Sequence, residues 1–232
     1  MIVKKYRSVI ASIQNPVKDI YTLEIQSLTE PFRYAPGQFL HLSPDTDYDG
    51  VGQWPESRCF SMQSNPDEGN IRITYAAKGR FTKMMEQQLK VGSEVWLKLP
   101  YGDLFLKQHN KINTVFIAGG TGITPFLSLF THKSFSKYSA PRIYLGFKAR
   151  EYNIYEGELE SAGLRDSHGE KTGLDISYED LQGRISISRI FDENGVTPDY
   201  FISGPPEMIK SFRNFLSASG VAPGQIRTDD WE

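Results

Sequence analysis

Apolar and polar residues alternate over several short stretches in the first half of the chain. Tyr21, Leu23 and Ile25 alternate with Thr22, Glu24 and Gln26; Ile71, Ile73 and Tyr75 with Arg72 and Thr74; Val95, Leu97 and Leu99 with Trp96 and Lys98. A period of two places successive side chains on opposite faces, so each stretch predicts a half-buried antiparallel strand. Turn signals stand between them at Asn15-Pro16, Pro36-Gly37, Asn65-Pro66, Val91-Gly92 and Pro100-Tyr101-Gly102. Short strands so spaced, with one helical stretch near Phe81 to Leu89, predict a small barrel or sandwich.

The pattern changes after about residue 108. Thr114 to Ala118 is a continuous apolar run, as expected of a parallel strand buried on both faces, and Gly119-Gly120-Thr121-Gly122 follows at once. Arg142 to Phe147 and Tyr200 to Ser203 are further predicted strands, each followed by a predicted helix. In the last helix Met208, Ile209, Phe212, Phe215 and Leu216 share one face, and Gly220 ends it. Strands alternating with helices predict a parallel sheet covered on both sides. The expected division is therefore a first domain over 1–107 and a second over 108–232, without repeats or low-complexity tracts.

Charge and cysteine content narrow the function. The 26 basic and 28 acidic residues nearly cancel, as do the halves, at 13 minus 12 for residues 1–107 and 13 minus 16 for 108–232. That balance gives no electrostatic case for nucleic acid. No apolar run approaches the ~18 residues that span a bilayer, and no signal-peptide core follows Lys4, Lys5 and Arg7, so a soluble, cytoplasmic protein without membrane insertion is expected. One thiol, Cys59, provides neither a disulfide nor the ligands of a four-cysteine iron-sulfur cluster. His41, His109, His132 and His168 share no metal spacing, so no metal site is expected.

Two clusters carry candidate chemistry. The strand, glycine turn and helix at Gly119 to Pro125 would aim free backbone amides and a positive helix end at a phosphate. Such a turn is either a tight connection or a pyrophosphate site, and its place after the first buried strand of the α/β half favours the second. The other cluster is Arg58-Cys59-Phe60-Ser61 with Gly79-Arg80-Phe81-Thr82. Arg58 could pair with a phosphate, Phe60 stack on a planar ring and Ser61 donate a hydrogen bond, or all could be ordinary strand and cap residues. Strict alternation puts Phe60 and Ser61 on opposite faces, so for both to touch one ligand the strand must bend or end there.

RCFS at 58–61 resembles the Arg-x-Tyr-Ser flavin motif of the ferredoxin-NADP reductase family, and GRFT at 79–82 its Gly-x-x-Ser/Thr flavin-phosphate motif. GGTGITP at 119–125 is similar to the family's nicotinamide-cofactor motif, and SGPPEM at 203–208 to its Cys-Gly-Pro-Pro-x-Met segment. The four stand in the family's order and spacing across essentially the whole chain. The resemblance implies two domains: an antiparallel β-barrel FAD-binding domain, then an α/β parallel-sheet nucleotide-binding domain. It implies FAD as cofactor and NADPH or NADH as co-substrate. By motif, Arg58 would bind the flavin diphosphate, Phe60 would pack on the isoalloxazine with Cys59 beside it in the same strand as a small buried residue, and Ser61 would sit near the nitrogen that accepts hydride. Thr74, Tyr75 and Ala76 would line the flavin, and Gly79, Arg80, Phe81 and Thr82 would cradle its phosphate. Gly120, Thr121, Gly122 and Pro125 would hold the dinucleotide, with Ser203 and Gly204 beside the nicotinamide. Trp231 would stack over the exposed flavin face. Ser61, Ser203 and Trp231 are thus the candidate catalytic residues.

The chain departs from the family pattern in three places. Phe60 replaces a tyrosine, and Ser203 replaces a cysteine; Ser203 either positions the nicotinamide or caps the helix that Pro206 begins. Where NADPH-using relatives carry Ser-Arg-Glu before Gly-Arg, this chain has Ser177-Tyr178-Glu179 and Gly183-Arg184. Tyr178 would stack on adenine, with Arg184 and either Lys148 or Arg150 supplying charge, and the choice between NADPH and NADH stays open. The expected partner is a ferredoxin- or flavodoxin-like carrier; the basic edge of Lys78, Arg80 and Lys83 either receives such an acidic partner or is a solvated face. The alternatives are a reductase component for an oxygenase, haem protein or free flavin, and a nucleotide-binding regulatory subunit without turnover.

Overall fold

The computed structural model describes residues 2–164 and 173–229, which divide after Asp103 into two compact units, Met1–Asp103 and Leu104–Glu232. The first unit contains β1 (Lys4–Val17), β2 (Ile20–Ser27), β3 (Phe39–Ser43), β4 (Arg58–Ser61), β5 (Ile71–Ala76), helix α1 (Arg80–Gln88) and β6 (Glu94–Tyr101). All six strands pair antiparallel in the order β4-β3-β6-β1-β2-β5. The Gln63 amide, just past β4, donates to the Arg72 carbonyl of β5 at 2.8 Å, so the sheet nearly closes into a barrel.

Register explains the alternation. Leu23 faces Ile73, Ile25 faces Ile71 and Leu42 faces Leu97, and all six side chains are fully buried. The intervening Thr22 and Glu24 point the other way, so a slip of one residue would invert every pair. Helix α1 closes the barrel with Phe81 and Met85, and the Thr82 hydroxyl accepts from the Gly79 amide at 3.1 Å at its start.

The second unit contains β7 (Thr114–Gly119), α2 (Thr124–Phe130), β8 (Arg142–Phe147), α3 (Glu156–Ser161), β9 (Leu174–Tyr178), α4 (Glu179–Gln182), α5 (Ile187–Asn194), β10 (Asp199–Ser203), α6 (Pro206–Ala218) and β11 (Ile226–Thr228). Its strands run parallel in the order β11-β10-β7-β8-β9. Phe116 and Ala118 face a core shared with Phe126, Phe130 and Phe201, while Val115 and Ile117 face Ile190, Ile209, Phe212 and Leu216. Cover on both faces is why β7 reads as an unbroken apolar run. Helix α6 buries Ile209, Phe212 and Leu216, with Met208 and Phe215 at the margin, and Gly220 follows it at φ 90°.

Leu104 is buried in the second unit's core, and Phe105 packs there against Phe116, Phe126 and Phe201. His109 lies beside them. Its Nδ1 faces the Lys107 carbonyl at 2.8 Å and its Nε2 faces the Tyr138 hydroxyl at 2.6 Å, an arrangement suited to neutral imidazole with Nδ1–H donating and Nε2 accepting. Burial lowers its pKa below the ordinary histidine value, against the Lys107 carbonyl, which raises it; Lys111 and Arg227 lower it further. The unfolded chain thus binds the proton more readily than the folded one. Stability is therefore expected to be flat above about pH 7 and to fall as the pH drops through about 6.5. Urea unfolding at about pH 7.5 and 5.5 checks this, and His109→Gln should flatten the difference.

Candidate functional site

The first unit brings together the two motif segments that lie about 20 residues apart in the chain. Arg58 opens β4 on the surface, its guanidinium 5.3 Å above the Phe81 ring in the first turn of α1, and its Nη1 donates to the Ser57 carbonyl at 2.9 Å. The first intrahelical bond runs from the Lys83 amide to the Gly79 carbonyl, so the amides of Arg80, Phe81 and Thr82 precede the helix ladder and point out of its positive end. A side chain on Gly79 would meet nothing within 4 Å, so the space over this turn is open. An exposed guanidinium beside a free helix start suits a phosphate or diphosphate.

Strand β4 ends at Ser61, as simultaneous contact by Phe60 and Ser61 requires. Both are buried. Phe60 belongs to the barrel core, its ring 5.8 Å from Tyr75, which stacks on Tyr21 at 5.6 Å. Thr74 donates to Gln63 at 2.6 Å and shares a hydrogen bond with Thr22 at 2.9 Å. The sequence reading missed Gln63, a buried amide at the open seam of the barrel. Cys59 is half-buried 3.5 Å from His41, and burial pushes its thiol pKa up, which disfavours the nucleophilic thiolate.

The basic edge is largely neutralised. Arg80 pairs with Glu56, and Lys83 with Asp19 at 3.2 Å and Glu86 at 3.1 Å. Lys78 is exposed beside them. These are surface pairs worth about 0–1 kcal/mol each, but they cancel field that would otherwise attract an acidic partner.

In the second unit the two glycine-bearing turns touch. Helix α2 does not start directly from the glycines: a 3-10 turn, Gly120–Ile123, comes first, and Pro125 falls in the opening turn of α2. Gly120 adopts φ 54° with open space over its α-carbon, whereas a side chain on Gly122 would lie 2.5 Å from the Gly204 backbone. One glycine thus supplies conformation and the other close approach. Thr121 lies between them, its carbonyl bonded by the Thr124 hydroxyl at 3.0 Å. Ser203 pairs in register with Ala118, which places SGPPEM beside GGTGITP at the carboxyl ends of β10 and β7.

Ser203 does not cap α6, whose N-cap is Pro205 without a side-chain cap bond. It is 2% exposed and donates to Asp229 Oδ2 at 3.3 Å. Asp229, missed in the sequence, follows the edge strand β11, and its amide donates to Ile202 at 3.0 Å. At the ends of β8 and β9, Tyr178 packs toward Phe147 and accepts from Asn153 at 3.3 Å. Arg150 is exposed at the start of a 3-10 turn, and Arg184 Nε lies 3.0 Å from Glu179 Oε1. Trp231 and His168 lie outside the described residues. Among the described residues, no group of three His, Cys, Asp or Glu is placed to hold a metal, and no helix is long and apolar enough to cross a membrane.

An antiparallel barrel with an anion-suited helix start, followed by a parallel sheet with a glycine turn after its first strand, defines the architecture of a two-domain flavin- and nucleotide-dependent reductase. No protein-family model matches the chain. It is 28% identical over 252 residues to the reductase component of propane 2-monooxygenase from Mycolicibacterium smegmatis, covering 99% of this chain and 68% of that one. It is 30% identical over 220 residues to the sulfhydrogenase 2 subunit gamma of Pyrococcus furiosus, covering 86% and 72%. The solved ferredoxin-NADP+ reductase of Plasmodium falciparum superposes with a TM-score of 0.72 at 20% identity, over 98% of this chain and 95% of that one. The chain belongs to the ferredoxin-NADP reductase family of FAD-dependent NAD(P)H oxidoreductases.

Proposed function

We propose that this protein takes hydride from NADH or NADPH onto bound FAD and passes electrons singly to a separate carrier of the ferredoxin or flavodoxin type. The observation that carries the reading is the seating of Arg58 beside the open first turn of α1, a pairing of guanidinium and helix start that suits an anion. FAD, when bound, supplies acceptance of two electrons and their release one at a time. Arg58 and the amides of Arg80, Phe81 and Thr82, at the start Gly79 opens, hold its diphosphate. Cys59, Phe60, Ser61, Thr74, Tyr75 and Ala76 line its ring. Gly120, Thr121, Gly122 and Pro125 hold the nucleotide pyrophosphate, Arg150, Tyr178 and Arg184 attend its adenosine end, and Ser203 and Gly204 position the nicotinamide; Trp231, outside the described residues, is assigned to the exposed flavin face.

A second reading concerns the acceptor. Relatives include proteins named as reductase components of propane 2-monooxygenase and of a naphthalene 1,2-dioxygenase system, and one named methane monooxygenase component C, which favours service to an oxygenase system. The carboxylate partners of Arg80 and Lys83 also weaken the case for a strongly acidic carrier. Purified protein given FAD is expected to be yellow and to bleach when NADH or NADPH is added without oxygen. A protein that stays colourless after added FAD would refute the flavin reading and leave a regulatory nucleotide-binding role.

A further inference from the structure

We propose that Gln63 is a further residue of the flavin site: its side-chain amide donates a hydrogen bond to the isoalloxazine ring and raises the ring's affinity for electrons. The inference rests on reading the first unit as the flavin site and names a group that tunes it.

Phe60 and Met62 point into the barrel core, so alternation carries Ser61 and Gln63 onto the opposite face. On β5, Ile73 and Tyr75 belong to the core and Thr74 faces away from it, and on β2 Thr22 stands opposite Thr74 in register. Thr22, Thr74, Gln63 and Ser61 thus form a row of polar side chains across the seam where the barrel nearly closes. Gln63 is bonded to Thr74 and two residues from Ser61, so it lies between two segments assigned to the flavin ring.

The hydrogen bonds give this row a direction. The Thr74 hydroxyl donates to Gln63 Oε1 at 2.6 Å. A hydroxyl has one proton, so in the 2.9 Å contact between Thr22 and Thr74 it is Thr22 that donates. With Oε1 engaged as acceptor, Nε2 is the end of the amide that donates outward. The backbone holds it there: the Gln63 amide donates to the Arg72 carbonyl at 2.8 Å, and the Arg72 amide donates to the Ser64 hydroxyl at 2.9 Å, which also bonds Tyr34 at 2.8 Å. Gln63 is 4% exposed, so a donor at this place acts with little competition from water. The carbonyl oxygens and ring nitrogens of an isoalloxazine gain electron density on reduction. A donor already fixed against that edge favours the reduced ring without first having to reorient, which the packing of Phe60 alone does not do.

The test is the two-electron midpoint potential and visible spectrum of FAD-loaded protein, beside its dissociation constant for FAD and the thermal midpoint of the flavin-free protein. In Gln63→Met, which keeps the length and loses the donor, the reduced-to-oxidised ratio at fixed potential should fall about tenfold, a shift of about 30 mV for two electrons. Hydride transfer from NADH or NADPH should slow with it, while affinity for FAD, set largely at the diphosphate, should hardly move. Gln63→Glu adds a pH profile that a packing role would not give: the neutral acid still donates and the carboxylate does not, so its potential should drop further below the parent's as the pH rises. Should Gln63→Met melt early without flavin, Gln63→Glu, which keeps the bond from Thr74, decides. Parent-like potentials in both variants with FAD bound overturn the proposal and leave the flavin reading standing. A parent that takes up no FAD sinks both.

Discussion

Gly122→Ala is expected to destabilise the second unit by about 2–3 kcal/mol, far more than one added methyl suggests. The new carbon would stand 2.5 Å from both the α-carbon and the nitrogen of Gly204 and 2.6 Å from the carbonyl carbon of Ser203. All three are backbone atoms, so no side chain can rotate out of the way. The turns cannot simply separate, because β7 and β10 are locked by parallel pairing from Asp199 and Thr114 through Ser203 and Ala118. Gly157→Ala makes the contrast: in α3, with nothing within 4 Å of the added carbon, it should gain about 0.5–1 kcal/mol from helix propensity. Urea midpoints of the two variants and the parent decide the matter. Midpoints that coincide would mean the two turns part freely. Titration with ADP-ribose should show the same ordering, with Gly122→Ala losing affinity because the amides after β7 are displaced.

Arg58→Ala is expected to weaken FAD binding tenfold to a hundredfold, the loss of one charge-assisted contact worth about 1.5–3 kcal/mol. The stability of the flavin-free protein should scarcely change. Arg58 is exposed, and its contacts are one surface carbonyl and one face of Phe81, whose other side is buried in the barrel. Comparing thermal midpoints with and without saturating FAD separates the two effects: the midpoint without flavin should hold, and the increment on adding flavin should shrink. A variant that melts early without flavin, yet binds it as tightly as the parent, would give Arg58 a packing role only. Arg58→Lys should recover part of the affinity, since the charge returns without the planar fork.

The elements most legible from the residues were those with one simple environment. Leu23 and Ile25 alternate with polar residues because β2 has one buried face, and Val115 to Ala118 run apolar because β7 has two. Strands β3 and β9 escaped notice because His41 or Ser177 interrupts a short pattern, and β11 has only three residues. At the site the same distinction holds. RCFS, GRFT, GGTGITP and SGPPEM are contiguous, so each could be read in place. What joins them could not: Gly122 meets Gly204 across 82 positions because two parallel strands align, and Ser203 meets Asp229 because an edge strand returns the chain. Glu179 and Arg184 stand five apart, one step outside the helical spacing that marks a pair, and meet only through the reversal at Gly183.

Leu104 and Phe105 have a practical consequence for taking the protein apart. They precede the second unit's first strand by nearly ten residues, yet they complete its core around Phe116, Phe126 and Phe201. A fragment begun at residue 108 would leave an aromatic-sized hole in that core and expose the rings behind it, inviting aggregation. Cutting ahead of Leu104 carries the plug along with the sheet it fills.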